Sequence, residues 1–204
     1  MPAATKEMKN EPRVSHPPEP PLPSDDALVA RARGGDASAF HLLVDRHAAG
    51  LYAAAASLLG NAADAEDVVQ ETFAGAYRGL ARFEGRSSVK TWLTAILVRR
   101  VAMHRRRTRR KEGRVVGLEA AAGLADGKRS ATGAVNVRLD VLNAIAALGP
   151  EHREVVVLRD LQGLAYDEMA EVLGLPRGTV ESRLFRARRR LREQLKDYLD
   201  RPGQ

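Results

Sequence analysis

The sequence of 204 residues predicts an all-α protein in which a flexible linker joins two small helical domains, the second with a helix-turn-helix. Three observations support this class. Apolar residues recur at three- and four-residue spacing from Asp25 onward, and no segment shows the strict alternation of a strand. Residues 112–134 contain five glycines and little periodicity, which is typical of a linker. Residues 165–191 combine a short helix, a glycine turn and a second helix.

The first domain is predicted to span 25–111 and to contain four helices. Gly34-Gly35 separates the first two, and Asn61 is suited to cap the third, because its side chain can accept a backbone N–H. Residues 83–88 are predicted to form a loop before a fourth helix over about 89–107.

The second domain is predicted over 135–199. One helix ends at Gly149-Pro150, another ends near Gly163, and the helix-turn-helix completes the domain. Seven of the ten prolines lie before Ser24, so residues 1–24 are expected to form a disordered, proline-rich tail. Residues 200–204 are predicted to form a short C-terminal tail.

The net charge of +7 is concentrated in two segments. Residues 85–114 contain eleven Lys or Arg and one Glu, and residues 176–196 contain eight Lys or Arg and two Glu. Positive charge clustered in this way indicates a polyanionic partner such as nucleic acid. A solvated basic helix face is the simpler alternative.

Several classes of protein are excluded by composition. The absence of cysteine rules out disulfide scaffolds and thiolate metal sites. No stretch approaches the roughly 18 apolar residues of a membrane span, so membrane insertion is not expected. Residues 1–23 lack the apolar centre of a secretory signal, which predicts a cytoplasmic protein. The five histidines are scattered, so no metal site or cofactor is predicted.

The segment AYDEMAEVLGLPRGTVESRLFRARRRL, residues 165–191, is the most specific motif. Gly174 suits the left-handed turn between two helices. Apolar residues at 180, 184, 187 and 191 form one stripe on the second helix and leave its other side polar. Such a helix can read base edges in the major groove, although an ordinary basic surface helix is the alternative. The candidate base-reading residues are Arg177, Thr179, Glu181, Ser182, Arg183 and Arg186.

Three segments in this order, ADAEDVVQETF (63–73), FEGRSSVKTWLTAIL (83–97) and 148–191, resemble a bacterial sigma factor of the extracytoplasmic function (ECF) group of the sigma-70 family. The resemblance covers 25 to about 196 and implies sigma regions two and four without region three. It implies binding to core RNA polymerase (beta-prime clamp and beta flap) and to promoter DNA, and an anti-sigma partner. The expected function is promoter recognition, melting and transcription initiation without catalysis. The alternative is an autonomous helix-turn-helix repressor.

The resemblance also implies roles for residues of the first domain. The expected polymerase-binding residues are Asp64, Asp67, Gln70, Glu71 and Phe73. The expected residues for minus-ten recognition and melting are Arg86, Ser87, Ser88, Lys90, Trp92, Arg99 and Arg100. Two alternatives compete with these roles. Trp92 could pack in the core rather than stack on a base, and the carboxylates could bind magnesium, although no nucleophile, base or phosphate loop accompanies them.

Three positions depart from the family pattern. Ala165 stands where a serine usually caps the first helix of the helix-turn-helix. Arg99 stands where many members have asparagine, which affects the expected base preference there. Glu181 stands where lysine is common, and its carboxylate can accept from cytosine but repels phosphate.

Overall fold

The structure of the protein is a computed structural model. The structure describes the backbone of 22–115 and 133–196, with the side chains of 22–110 and 140–196. Most of the predicted proline-rich tail, the middle of the predicted linker and the C-terminal tail lie outside these residues.

The described residues form eight α-helices, a short 3₁₀ turn and a π-helical turn. The first unit contains α1 (Asp25–Arg33), α2 (Ala37–Leu59), α3 (Ala62–Gly79), the 3₁₀ turn Leu80–Arg82 and α4 (Val89–Val115). The second unit contains α5 (Gly133–Ala147), α6 (Pro150–Val156), the π-helical turn Val157–Leu161, α7 (Tyr166–Leu173) and α8 (Arg177–Gln194). The expected all-α class is confirmed.

Local signals explain where the helices of the first unit begin. The Asp36 carboxylate accepts the N–H of Ala39 at 3.2 Å and caps α2. Asn61 caps α3 as predicted, since its Oδ1 lies 2.9 Å from the N–H nitrogen of Ala63. Between them, Gly60 ends α2 with φ +74°, a backbone conformation that glycine adopts without strain.

The first unit is built around α2, which packs against α1, α3 and α4. The side chains of Leu43, Leu51, Val68, Phe73 and Leu97 are buried between these helices. Each occupies an apolar position in the three- and four-residue spacing that predicted these helices, so each lies on the side of its helix that faces the core. This core leaves the polar face of α3 and most of the arginines of α4 at the surface.

In the second unit, α8 packs against both α6 and α7. Val155, Leu158, Leu164, Met169 and Leu184 are buried between them. The backbone N–H of Gln162 donates to the carbonyl of Val157 at 3.0 Å, which is the i to i−5 spacing of a π-helix. This turn was not predicted.

The end of α4 differs from the prediction. Helix α4 continues to Val115 rather than ending near residue 107, so the expected linker start at 112 lies inside a helix. Arginine, lysine and glutamate favour helix, and this tendency outweighs Gly113. Helix α8 ends at Gln194, and residues 197–199 of the predicted second domain lie outside the described residues.

The buried apolar residues of the two units form one continuous core. Helix α4 packs against α7, and α2 packs against the π-helical turn and α6. None of the helices within the described ranges combines the length and the apolar character needed to cross a bilayer.

Candidate nucleic-acid interface

The helix-turn-helix has the predicted geometry. Gly174 adopts φ +64° at the end of α7, and the N–H of Leu175 donates to the carbonyl of Ala170 at 3.0 Å. Val180 and Leu184 are buried against the rest of the unit, as their spacing predicted. Burial of this stripe directs the opposite side of α8 to solvent.

The start of α7 lacks the side-chain cap that serine would supply, because Ala165 has no polar group. Glu168 supplies the other half of a capping box: its Oε2 accepts the N–H of Ala165 at 2.8 Å. The other oxygen of Glu168 accepts the hydroxyl of Thr91, which belongs to the first unit, at 2.6 Å. One carboxylate therefore supports the helix-turn-helix and joins it to α4.

The residues predicted to read base edges, which in a promoter would belong to the upstream element, differ in how far neighbouring groups restrain them. Arg186 and Ser182 are exposed on α8, whereas the Arg183 guanidinium pairs with Glu151 at 3.0 Å. Thr179 is half-buried, and its carbonyl accepts the Ser182 hydroxyl.

Arg177 is held by three neighbours at the start of α8. Its Nε donates to Glu181 at 2.8 Å, its Nη1 donates to Asp167 at 2.9 Å, and its guanidinium lies 5.8 Å from the centre of the Tyr166 ring. The hydrogen bonds to Glu181 and then Asp167 raise the pKa of Arg177. Glu181 is thus an ion-pair partner of Arg177 in this structure rather than an unpaired acceptor for a base.

Sequence reasoning missed Phe185, which lies on the exposed side of α8 with 70% of its surface accessible. An aromatic ring outside the buried stripe is the signal that would have identified it. In the major groove, such a ring can make apolar contact with a thymine methyl.

The predicted melting loop lies between the 3₁₀ turn and α4. Arg86 is exposed at its tip and pairs with Glu84 at 2.9 Å. Ser88 has a structural role in this structure, since its Oγ accepts the N–H of Thr91 at 3.0 Å and caps α4. Ser87 is half-buried and Lys90 is exposed.

Trp92 is half-buried and packs against Phe83, with 4.6 Å between the ring centres. The larger part of the Trp92 side chain is therefore packed against the protein, which favours core packing over base stacking. Arg99 is exposed on α4, whereas Arg100 extends across α3 to Glu71 at 3.5 Å.

The predicted polymerase-binding residues share α3. Asp67, Gln70 and Glu71 are exposed on it. Asp64 is half-buried and lies 3.3 Å from the imidazole of His104 on α4. Phe73 is only 8% exposed and packs in the core, so in this structure it supports α3 and is not available for direct contact.

A groove of about 940 Å³ follows the α4 side of this face. Its lining residues are Glu71, Arg100, Met103, His104, Arg106, Arg107 and Arg110. Five of the seven are arginine or histidine, so the groove is suited to an anionic ligand such as a nucleic-acid backbone. Met103 was not predicted and is exposed at this groove.

Polar contacts also join the two units. The buried Gln162 side chain donates to the carbonyl of Gly50 in α2 at 2.7 Å. Arg105 bonds Glu154 of α6 at 3.0 Å and the carbonyl of Leu58 at 2.6 Å. Burial raises the pKa of Glu154, although Arg105 opposes the effect. Arg105 belongs to the basic segment 85–114, and in this structure it bridges the two units.

Among the described residues, no group of three or more His, Asp or Glu side chains is placed to hold a metal ion. His47 and His104 each pair with a single carboxylate, of Asp25 and Asp64 respectively.

The fold and these surfaces define a helical DNA-binding protein with two units: one carries a helix-turn-helix, and the other combines an acidic helix face with a basic loop and helix. Family models agree with this division. The model for Sigma-70 region 2 matches 43–111, and the model for Sigma-70, region 4 matches 138–191.

Curated relatives extend the similarity over most of the chain. The ECF RNA polymerase sigma-E factor of Escherichia coli is 37% identical over 177 residues, 81% of this chain and 91% of the relative. The sigma-E factor of Haemophilus influenzae is 34% identical over 188 residues, 86% of this chain and 97% of the relative. The chain therefore belongs to the ECF group of the sigma-70 family.

Two solved structures are similar across both units. One is CnrH in complex with the cytosolic domain of CnrY, with TM-score 0.63 and 30% identity, covering 85% of this chain and 97% of that one. The other is the sigma factor RpoE of Bartonella quintana in complex with the anti-sigma factor NepR, with TM-score 0.66 and 30% identity, covering 79% and 98%.

Proposed function

We propose that this protein is a transcription initiation factor that binds core RNA polymerase, opens promoter DNA with its first unit and reads an upstream element with its second. The observation that carries the proposal is the presence of two separate basic surfaces on one chain, the second on a helix-turn-helix, in a member of the sigma-70 family. We infer that it catalyses no reaction itself and acts in the cytoplasm, where polymerase and promoters are found.

Docking on polymerase is assigned to the exposed side of α3. Asp64, Asp67 and Glu71 lie at three- and four-residue spacing, so their carboxylates share one face. Such a face suits a basic partner helix, and the family resemblance points to the beta-prime clamp. Gln70 adds a neutral hydrogen-bonding group beside them.

Promoter opening is assigned to the loop at 83–88 and to α4. Opening requires unstacked bases to be captured and the backbone to be neutralised. Arg86, Lys90 and Arg99 are exposed cations on this path, while Ser88 holds the start of α4 in place. We propose that Trp92 supports the loop through Phe83 and offers only its exposed edge to a base.

Reading of the upstream element is assigned to α8. Ser182, Phe185 and Arg186 are exposed on the side opposite the buried stripe, where a major groove would lie. We propose Arg186 as the main base reader, because it is the least constrained of the predicted arginines on this helix.

An anti-sigma protein is the remaining expected partner. The similar RpoE structure contains the anti-sigma factor NepR. We propose that a protein of this class binds the present chain and prevents its use by polymerase.

Run-off transcription with core polymerase tests the proposal. Genomic fragments retained by polymerase only in the presence of this chain would serve as templates. We expect the chain to stimulate transcripts with defined start sites. Binding to fragments without any stimulation of core polymerase would instead support an autonomous repressor.

Two substitutions separate the proposed surfaces. Arg186→Ala is expected to weaken binding of the upstream element by about 1–3 kcal/mol without changing affinity for core polymerase. Arg192→Ala, on the exposed last turns of α8, is the matched control. Equal loss of DNA and polymerase binding would indicate misfolding and contradict the assignment.

Asp67→Ala is expected to have the opposite effect, weakening polymerase binding while leaving the affinity for DNA unchanged. Asp45→Ala is the control, because Asp45 is an exposed aspartate on α2 and not on α3. Affinities for core polymerase can be measured by fluorescence anisotropy of the labelled chain. Unchanged binding of the Asp67 variant would count against α3 as the docking face.

A further inference from the structure

His152 on α6 lies against the basic side of α8. Its Nδ1 is 3.5 Å from Nη1 of Arg190. Arg183, Arg186 and Arg190 follow one another at spacings of three and four residues, so they share the flank of α8 that faces α6. This flank lies beside the side of α8 assigned to the groove.

The cluster has more positive than negative charge. Glu151 is the carboxylate at this site, and it pairs with Arg183. In the part of the chain that the structure describes, no carboxylate pairs with Arg186 or Arg190. Two guanidinium groups and an imidazole close together favour the approach of an anion, because charge-assisted hydrogen bonds to phosphate are strong.

The position of the cluster identifies that anion. When a recognition helix lies in the major groove, its outer side faces the base edges and a sugar-phosphate strand runs along each of its flanks. Arg190, on the flank next to the base-reading Arg186, would face one of these strands, and His152 would approach the same strand from α6. A backbone phosphate beside the upstream element is therefore the ligand that fits.

We propose that His152 is a phosphate-binding residue of the upstream-element site and that it takes up a proton when DNA binds. The inference rests on the assignment of α8 to DNA but does not require polymerase. In the free protein, the neutral ring accepts the N–H of Arg190. In the complex, the ring gains one proton from solvent, and His152 and Arg190 both donate to the phosphate.

The environment of the ring supports this exchange. Burial, followed by the charge of Arg190, lowers the pKa of His152, and Arg186 and Arg183 act in the same direction while Glu151 opposes them. A bound phosphate would place negative charge beside the ring and raise the pKa of His152. Since the complex then binds more protons than the free protein, affinity for DNA must rise as pH falls.

The test uses the full chain and a fluorescein-labelled duplex of about 30 base pairs with mixed sequence, because phosphate contacts do not depend on sequence. Anisotropy titrations at constant low ionic strength would cover pH 8 to pH 6. We expect affinity to rise about three- to tenfold over this range, since one unit of pKa change corresponds to a tenfold change in binding.

Variants assign the effect to His152. His152→Gln should lose most of the pH dependence and bind like the wild type at pH 8, whereas His152→Arg should bind tightly at both pH values. His41→Gln is the control, because His41 is exposed on α2 in the first unit and should retain the wild-type profile. Thermal unfolding of each variant would check that the fold is retained.

NMR titration of the imidazole protons supplies a second readout. The pKa of His152 should rise when the duplex is added. The inference is overturned if His152→Gln keeps the wild-type pH dependence, if the wild-type chain does not bind the duplex, or if DNA leaves the pKa of His152 unchanged. Run-off transcription decides the initiation role separately, so either proposal can fail without the other.

Discussion

Gln162 offers a direct test of the contact between the two units. Its side chain is 3% exposed, and its Nε2 donates to the carbonyl of Gly50 across the interface at 2.7 Å. Gln162→Ala removes this hydrogen bond, worth about 1 kcal/mol, and one buried methylene, worth about 0.8 kcal/mol. The Gly50 carbonyl keeps its helical partner in α2, so no buried acceptor is left unpaired. The expected loss in the free energy of unfolding is about 2 kcal/mol.

Urea denaturation followed by circular dichroism measures this loss, and hydrogen exchange locates it. The substitution lies in the second unit, yet amide exchange should also accelerate in α2 around Gly50. For amides that exchange when the units separate, 2 kcal/mol corresponds to roughly a 30-fold increase. Gln194→Ala is the control, since Gln194 is exposed at the end of α8 and should change stability by less than about 0.5 kcal/mol. Faster exchange confined to α6, α7 and α8 would refute the packing of the units described above.

Three further predictions concern single side chains. Gly174→Ala should destabilise the fold by about 1–2 kcal/mol, measured by thermal unfolding, because φ +64° strains any residue with a Cβ. Glu181→Gln should tighten binding to mixed-sequence DNA and increase the salt dependence of that binding, because the carboxylate no longer pairs with Arg177. Hydrogen bonds to Asp36, the strongest from Ser38, lower the pKa of Asp36 to about 2. Its stabilising effect is therefore present above its ordinary pKa near 3.8 and lost as the pH falls towards 2, and Asp36→Asn should reduce that acid sensitivity in a pH titration of unfolding.

Helices and their caps were predictable because the signals that form them are local. The spacing of apolar residues identified α1, α2 and α3, and Asn61 caps α3 as expected. Gly174 could be placed at the turn because a left-handed backbone strongly favours glycine. Helix ends were less certain, since α4 runs through Gly113 to Val115 when neighbouring residues favour helix.

Side-chain roles were harder to predict, because each polar group has several partners available in three dimensions. Arg105 and Arg99 both lie in a basic run, yet Arg105 bridges the units and Arg99 remains exposed. Glu168 lies in the first turn of α7, but its bond to Thr91 joins residues 77 positions apart. Phe73 belongs to a motif expected at the polymerase interface, and only its burial reveals its structural role.

The sequence by itself determined the helical class, the helix-turn-helix, the two basic segments and the family resemblance, because periodicity, turn chemistry and charge are written along the chain. The tertiary structure alone decided which charges remain free. Ion pairs hold Arg177 and Arg183 within the second unit, while Arg186 and Arg190 keep their charge available beside His152. Whether a charged side chain is paired depends on its distance to groups that are remote in sequence, and only folding sets those distances.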